Sequence, residues 1–223
     1  MNIIRIIIVT LTNITFLYVK NLKLNCISKY IMSIVLQTDP TCLPLLNKYL
    51  SQIDVYFEYG CGTSTYLASN VDNIKKIYSV ESDIEWANCI KQNLKKDNII
   101  YIFNDMNTQP KTWGHPGKSA TDVQKINYSS HMKNLSKEEQ ESIDLVFIDG
   151  RFRVACCLKC FDIMKDECSI VFDDFLNRPQ YHIVLDYFDM VEKCSNTRTV
   201  LLRKKQNACV PHELIKKYEL IAD

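Results

Sequence analysis

Glycine is scarce in this chain, with five among 223 residues, and two of them stand one residue apart at Gly60 and Gly62. A surplus of charge is also missing. Lys and Arg number 27 against 26 Asp and Glu, a formal net charge of +1, which leaves no electrostatic footprint for non-specific nucleic-acid binding. Ten cysteines occur, but not in the spaced framework of a small secreted domain, and a chain of this length buries a core without such staples. The tightest group, Cys156, Cys157 and Cys160, lacks the second pair or nearby histidines of a zinc site. These are expected to be buried or idle thiols in a reducing, cytoplasmic compartment. Internal repeats and low-complexity linkers are absent too, so a single α/β domain is expected.

The N-terminus stands apart. Residues 1–32 form an apolar extension containing "IIRIIIVTLTNITFLYVK", with Arg5 near its start and Lys20 and Lys23 at its end. Thr10, Thr12, Asn13 and Thr15 interrupt it, and it falls short of the ~20 clean apolar residues of a spanning helix. No small-x-small cleavage site follows, which argues against a secretory signal. Membrane anchoring through residues 3–19 is the alternative to a cytoplasmic protein, and a working start at Met32 is a third reading.

From Thr41 onward the chain alternates. "TCLPLLNKYLSQ" puts Leu45, Leu46, Tyr49 and Leu50 on one helical face with Pro44 in the first turn. "VYFEYG" is a buried strand, and a helix starts near Ser64. "IKKIYSVES" is a second strand, followed by a helix for which Ser82 and Glu85 form a capping box. "NIIYIFND" is a third strand. Ser136 and Glu139 form another capping box before the fourth strand, "IDLVFIDG", and "VACCLKCFDIM" is the helix that follows it. "SIVFDDF" is the fifth strand. Asn177 then caps a helix with Pro179 in its first turn and Tyr181, Val184, Leu185 and Phe188 inside. "MVEKC" and "RTVLLRKK" close the fold as a hairpin across Ser195 and Asn196. Such alternation implies a mostly parallel sheet covered on both faces.

In such sheets ligands bind beyond the carboxyl ends of the strands, where strand order reverses. Nearly every strand here ends in acid: Glu58, Glu81, Asp105, Asp149, and Asp173 with Asp174. Six carboxylates on one rim need cations or hydroxyl donors to offset their repulsion. The glycine turn narrows the ligand. A dinucleotide fold wants G-x-G-x-x-G, whereas the third glycine position holds Tyr66, and an acid stands two residues before Gly60. That acid suits a cationic amino group, and Glu81 lies where a carboxylate accepts ribose hydroxyls. An amino acid joined to a ribose without phosphate describes S-adenosylmethionine, which this spacing favours over NAD.

"FEYGCGTST", "YSVESD" and "LVFIDG" together resemble the motifs of class I S-adenosylmethionine-dependent methyltransferases, over about Thr41 to Lys205. The resemblance implies a Rossmann-like, doubly wound, mostly parallel seven-stranded sheet with a C-terminal β-hairpin, in a methyltransferase domain over 33–223. It also implies cofactor contacts from Glu58 to the ammonium, from Gly60, Gly62 and Ser64 in the turn, from Glu81 to the ribose, and from Asp105 and Met106 near the adenine, with Asp149 at the methyl-transfer end. "IDGRFRVACCL" and "FDDFLNRPQYH" are similar to small-molecule and sugar O-methyltransferases of the macrocin and catechol types. By that likeness Asp149, Asp173 and Asp174 hold Mg²⁺, which would lower the pKa of substrate hydroxyls. Arg151 stands where the catechol pattern has a lysine base, so Asp149, Asp173 and His182 are the catalytic candidates, with His115 as another base.

Residues 106–135 lack clear periodicity and are expected to form a lid-like insertion, with Trp113, His115, Tyr128 and His131 as a substrate wall. Arg151, Arg153 and Arg178 suit phosphate or carboxylate as planar forks, or surface pairing with acids. The expected activity is O-methylation of a small molecule or sugar. The alternatives are a nucleic-acid or protein methyltransferase, or a non-catalytic binding module. The chain has neither a D/N-P-P-Y motif after the fourth strand nor a Pro-Cys nucleophile, so a nucleic-acid partner is not expected.

Overall fold

The computed structural model describes residues 6–11, 14–19, 43–94, 96–109, 112–194 and 198–222. In the N-terminal extension, β1 (Ile6–Leu11) and β2 (Ile14–Val19) pair antiparallel in the register Ile6 to Val19. The expected start at Met32, and the flanking charges Arg5, Lys20 and Lys23, lie outside the described residues. Among the described residues, no helix is long and apolar enough to cross a membrane.

The rest is built on a seven-stranded sheet in the order β5-β4-β3-β6-β7-β9-β8. Its parallel strands are β3 (Val55–Tyr59), β4 (Lys76–Glu81), β5 (Ile99–Phe103), β6 (Leu145–Ile148) and β7 (Ser169–Phe172). The antiparallel hairpin β8 (Phe188–Lys193) and β9 (Val200–Lys204) closes one edge, with β9 against β7. The residues at its expected turn, Ser195 and Asn196, lie outside the described residues.

The period-two alternation of strand side chains divides the core into two layers. Tyr56, Ile77, Leu145, Phe147 and Val171 point to one face and pack with α1 (Leu43–Leu50), α2 (Thr63–Ser69) and α3 (Ile84–Asn93). Phe57, Tyr59, Tyr78, Val146, Ile148, Ile170 and Phe172 point to the other. They meet α4 (Asp122–Ser130), α6 (Arg153–Cys160) and α7 (His212–Tyr218), while the short α5 (Lys137–Ser142) leads into β6. Winding therefore changes face between β3 and β6, which places the crevice at their carboxyl ends. Cys156, Cys157, Cys160 and Cys168 are free and buried. Burial pushes the Cys157 thiol well up and that of Cys168 to about 12, so these are packing groups and not reactive thiols.

Three local expectations are corrected. The cap of α3 is Asp83, whose carboxylate accepts from the Glu85 and Trp86 amides, while the Ser82 hydroxyl is turned to the Gly114 carbonyl at 3.1 Å. Pro179–Asp186 is a 3₁₀ helix, with Tyr181 N on Arg178 O at 2.9 Å and no side-chain cap from Asn177. The irregular stretch before β6 contains α4, started by a Thr121–Gln124 capping box. Its polar composition hides it, since Tyr128 and Ser129 are its only buried positions. α7, which had no expected counterpart, is held to α6 by the Lys159–Glu219 ion pair at 2.5 Å.

At the crevice two backbones touch. Gly60 has φ +95, and a Cβ built there would lie 2.9 Å from Gly150 N. A Cβ on Gly150 would lie 2.0 Å from the Tyr128 hydroxyl and 3.0 Å from the Tyr59 carbonyl carbon. Gly150→Ala should therefore cost about 1–3 kcal/mol by overpacking. Adding Tyr128→Phe should return part of that loss, and the coupling is measured as a double-mutant cycle in denaturant unfolding.

Candidate active site

Glu58 shares a strand face with Tyr56 and lies under α2, not on the rim. It is fully buried, and its carboxylate accepts hydroxyls from Ser64 (2.6 Å), Ser79 (2.6 Å), Tyr56 (3.1 Å) and Thr65. Burial pushes its pKa up to about 7 against the pull of those donors. This corrects two expected cofactor contacts. Glu58 and Ser64 are spent on each other and tie the glycine turn to the sheet, so neither is presented to a ligand. The turn is largely enclosed, with Cys61 and Gly62 buried and Gly60 partly exposed: Gly60 N donates to Val80 O at 2.9 Å, and a Cβ on Gly62 would meet Trp86 at an ordinary 3.9 Å. Trp86 Nε1 donates to the Cys61 carbonyl at 2.8 Å and so packs against the turn.

Glu81 does end its strand at the rim. Its oxygens accept three backbone amides, from Cys61 (3.2 Å), Ser82 (2.6 Å) and Asp83 (2.9 Å), and the Cys61 thiol lies at 3.3 Å. Burial raises its pKa, and those amides pull it back. The carboxylate is thus fixed in direction: of its roughly four lone-pair sites, amides hold three and the weak thiol donor of Cys61 the remaining one. Above it runs the segment through Trp113 and Gly114. Arg151 Nε donates to Trp113 O at 2.7 Å, and Ser82 holds Gly114 from below. Trp113 has φ +55 and an indole that is 69% exposed. A bulky residue in the left-handed region stores strain, which concentrates at functional sites.

On the other side of the crevice stand Asp149, Asp173 and Asp174. A guanidinium joins them: Arg153 reaches Asp149 at 3.1 Å, Asp174 at 3.3 Å and the Asp173 carbonyl at 2.9 Å. Asp174 also receives Arg178 at 2.9 Å and Arg198 at 3.1 Å, and Asp173 accepts the Thr199 hydroxyl at 2.5 Å. The expected Mg²⁺ site does not fit this arrangement, because guanidinium groups already neutralise Asp149 and Asp174, and Asp173 is bonded to Thr199. Among the described residues, no group of three His, Cys, Asp or Glu side chains is placed to hold a metal. Burial lifts Asp149 to about 7; Arg153 lowers it, and Asp173 and Asp174 raise it again.

The remaining candidates divide. His182 Nε2 meets the Phe175 carbonyl at 3.0 Å, and its ring packs 5.0 Å from that of Phe175. Because a carbonyl only accepts, that nitrogen carries a proton, and His182 serves to anchor the 3₁₀ helix. His115 is exposed beside Trp113. Asp105 is exposed after β5 and caps a turn through Asn107 N at 2.8 Å, whereas Met106 is fully buried in the core and faces no ligand. Tyr128 is buried, and the half-buried His131 bonds Asn104 at 2.8 Å. The wall expected from four side chains thus reduces to Trp113 and His115. Arg198 and Cys61 were not anticipated: the first lies far from Asp174 in sequence, and the second acts through its amide, which carries no side-chain signal. Two open hollows, of about 700 and 460 Å³, lie at the opposite, amino ends of the strands or over α5, and Asp144 and Asp54 line the smaller.

No protein-family profile matches the chain. Among solved structures it is similar to a methyltransferase-like protein from Silicibacter pomeroyi, with TM-score 0.71 and 24% identity over 83% of this chain and 97% of that one. It is also similar to a candidate tRNA (m1A22) methyltransferase from Streptococcus pneumoniae, with TM-score 0.50 and 12% identity over 80% and 76% of the two chains. At these identities the likeness concerns architecture: the chain has the Rossmann-like methyltransferase fold.

The buried Glu58 makes a prediction about pH. Its pKa in the fold is about 7, against an ordinary 4.5, so the folded state binds this proton more tightly than the unfolded chain. The corresponding stability is present below the unfolded value and is lost as pH rises through the folded one. Glu58→Gln should flatten the decline in thermal stability between about pH 5 and pH 8, by up to about 3 kcal/mol. Part of the slope should remain, because Asp149 shifts in the same direction.

Proposed function

We propose that this chain is an S-adenosylmethionine-dependent methyltransferase acting on a hydroxyl of a small molecule or sugar. The observation that carries the reading is Glu81, a rim carboxylate oriented by three backbone amides beside the glycine turn at the point where the sheet reverses its winding. The fold shared with a methyltransferase-like structure supports it. The assignment to a hydroxyl follows the likeness of "IDGRFRVACCL" and "FDDFLNRPQYH" to macrocin- and catechol-type O-methyltransferases.

When bound, S-adenosylmethionine supplies an electrophilic methyl group on a sulfonium. The chain's own residues do the rest. The side-chain-free edge at Gly60 and Gly62 admits the methionine part, and Trp86 bounds it. Glu81 accepts the ribose diol, and Asp105, exposed after β5, is available to the adenine amine. Asp149 takes the proton from the acceptor hydroxyl as the methyl is transferred. A base poised near neutrality is effective in that role, and Asp149 is held near 7. Arg153 keeps its carboxylate in place and favours the ionised form that can accept the proton. The Trp113–Gly114 segment acts as the lid over the ribose side.

A nucleic acid as acceptor is the reading to test against this one, because the pneumococcal neighbour is named for tRNA; the net charge of +1 weighs against it. Calorimetry with S-adenosylmethionine should show binding to the wild type. In a folded Glu81→Ala protein it should weaken about ten- to a hundred-fold, the worth of charge-assisted hydrogen bonds. Unchanged affinity would remove the ribose assignment. With a hydroxyl acceptor in hand, turnover should rise as pH passes about 7, should fall at least a hundred-fold in Asp149→Asn, and should survive exhaustive EDTA. Loss of activity with EDTA, restored by Mg²⁺, would overturn the arginine-for-metal arrangement.

A further inference from the structure

The seven-stranded sheet has two outer strands, and they are finished differently. β8 carries Asp189, Glu192 and Lys193, and its register with β9 breaks between Met190 and Glu192. Charges and a bulge of this kind keep an edge from pairing with another chain. β5 has neither. Its residues, Ile99–Phe103, read IIYIF, and they run beside β4 in unbroken register from Ile77 to Glu81. Ile100 and Phe103, on opposite faces of this strand, are 40% and 41% exposed. Among the described residues, no strand pairs with its outer side.

The ladder settles which backbone groups point outward. Ile77 N donates to Asn98 O and Asn104 N to Glu81 O, both at 2.8 Å. In a parallel ladder alternate residues turn their N–H and C=O to one side of the strand and then the other. Even-numbered residues of β5 therefore face β4, and Ile99, Tyr101 and Phe103 face outward. The Ile99 amide is taken by Lys96 O at 3.2 Å. That leaves the carbonyls of all three, and the amides of Tyr101 and Phe103, along the edge.

We propose that β5 is a self-association surface whose occupant is a second copy of this chain, joined edge to edge and antiparallel about a two-fold axis at Tyr101. In that register Tyr101 opposes Tyr101 of the second copy, Ile99 opposes Phe103, and Ile100 opposes Ile102. Each outward residue meets an outward residue. The two Tyr101 residues exchange their amide and carbonyl bonds, and each Phe103 amide reaches an Ile99 carbonyl. A slip by one residue sets outward groups against inward ones and loses the ladder. The same register lays both exposed side chains against isoleucines, Ile100 on Ile102 and Phe103 on Ile99. No like charges meet, because the strand carries none. Each copy has one such edge, so the interface is isologous and the association closes at two. Strand direction reverses across the junction, which points the two crevices to opposite ends of the joined sheet. None of this depends on the methyltransferase reading.

The test uses the full chain in sedimentation velocity, with amide hydrogen exchange on the same samples. At concentrations up to about 100 μM the wild type should show a monomer–dimer equilibrium and no larger species. Exchange at the Tyr101 and Phe103 amides should slow as the dimer forms. Ile100→Lys and Phe103→Lys should each weaken the dimer about tenfold or more, as edge lysines guard natural sheets. Both positions are exposed and leave the bonds to β4 in place; folding is checked by the thermal transition, and one folded variant suffices. A wild type that stays monomeric, a dimer unchanged in a folded lysine variant, or a series of larger oligomers overturns the proposal. So does a dimer that protects the β1–β2 hairpin while Tyr101 and Phe103 exchange as before, since the association then belongs to the N-terminal segment.

Discussion

Two peptide backbones in contact set the geometry of this molecule. Gly60 and Gly150 end neighbouring strands and approach until no side chain fits between them. This lets β3 and β6 stay paired to their tips even though the chain leaves them toward opposite faces of the sheet. The crevice between the two departures is what separates Glu81 from Asp149. A side chain at either glycine would press on backbone, and backbone does not yield as a flexible side chain does.

Charge at the rim is arranged around that crevice in two different ways. On one side Glu58 and Glu81 are answered by neutral donors, hydroxyls for the first and amides for the second. On the other, Asp149 and Asp174 are answered by guanidinium groups. The first arrangement fixes each carboxylate by hydrogen bonds alone. The second holds its carboxylates by formal charge. This difference shows that a row of acids, uniform in sequence, is held in turn by hydroxyls, by amides and by guanidinium groups.

The alternation of strands and helices was legible because each strand is a short apolar run with a glycine or an acid after it, and the doubly wound sheet with its closing hairpin followed from the resemblance in motifs. Glu58 shows what pattern alone overlooks. It ends an apolar run like the other acids, yet it shares parity with Tyr56, which turns it inward under α2. α4 escaped notice because its buried surface is one tyrosine and one serine, too little to show a helical period. The Arg153–Asp149 pair is four residues apart, but Asp149 precedes the helix that Arg153 begins, so helical spacing does not predict it. The meeting of Arg198 with Asp174 depends on how the hairpin folds back, and no local rule contains it.

The two tryptophans have a consequence of their own. The chain has no others, and they differ in setting, Trp86 half-buried with its indole bonded to the Cys61 carbonyl and Trp113 largely in water. Their emission should differ in colour, the enclosed ring bluer and the exposed one redder, so an unlabelled sample carries two internal reporters. A small molecule settling on the glycine turn would be seen first by one, and a movement of the segment above it by the other. The protein can thus be followed by its own light through each stage of filling.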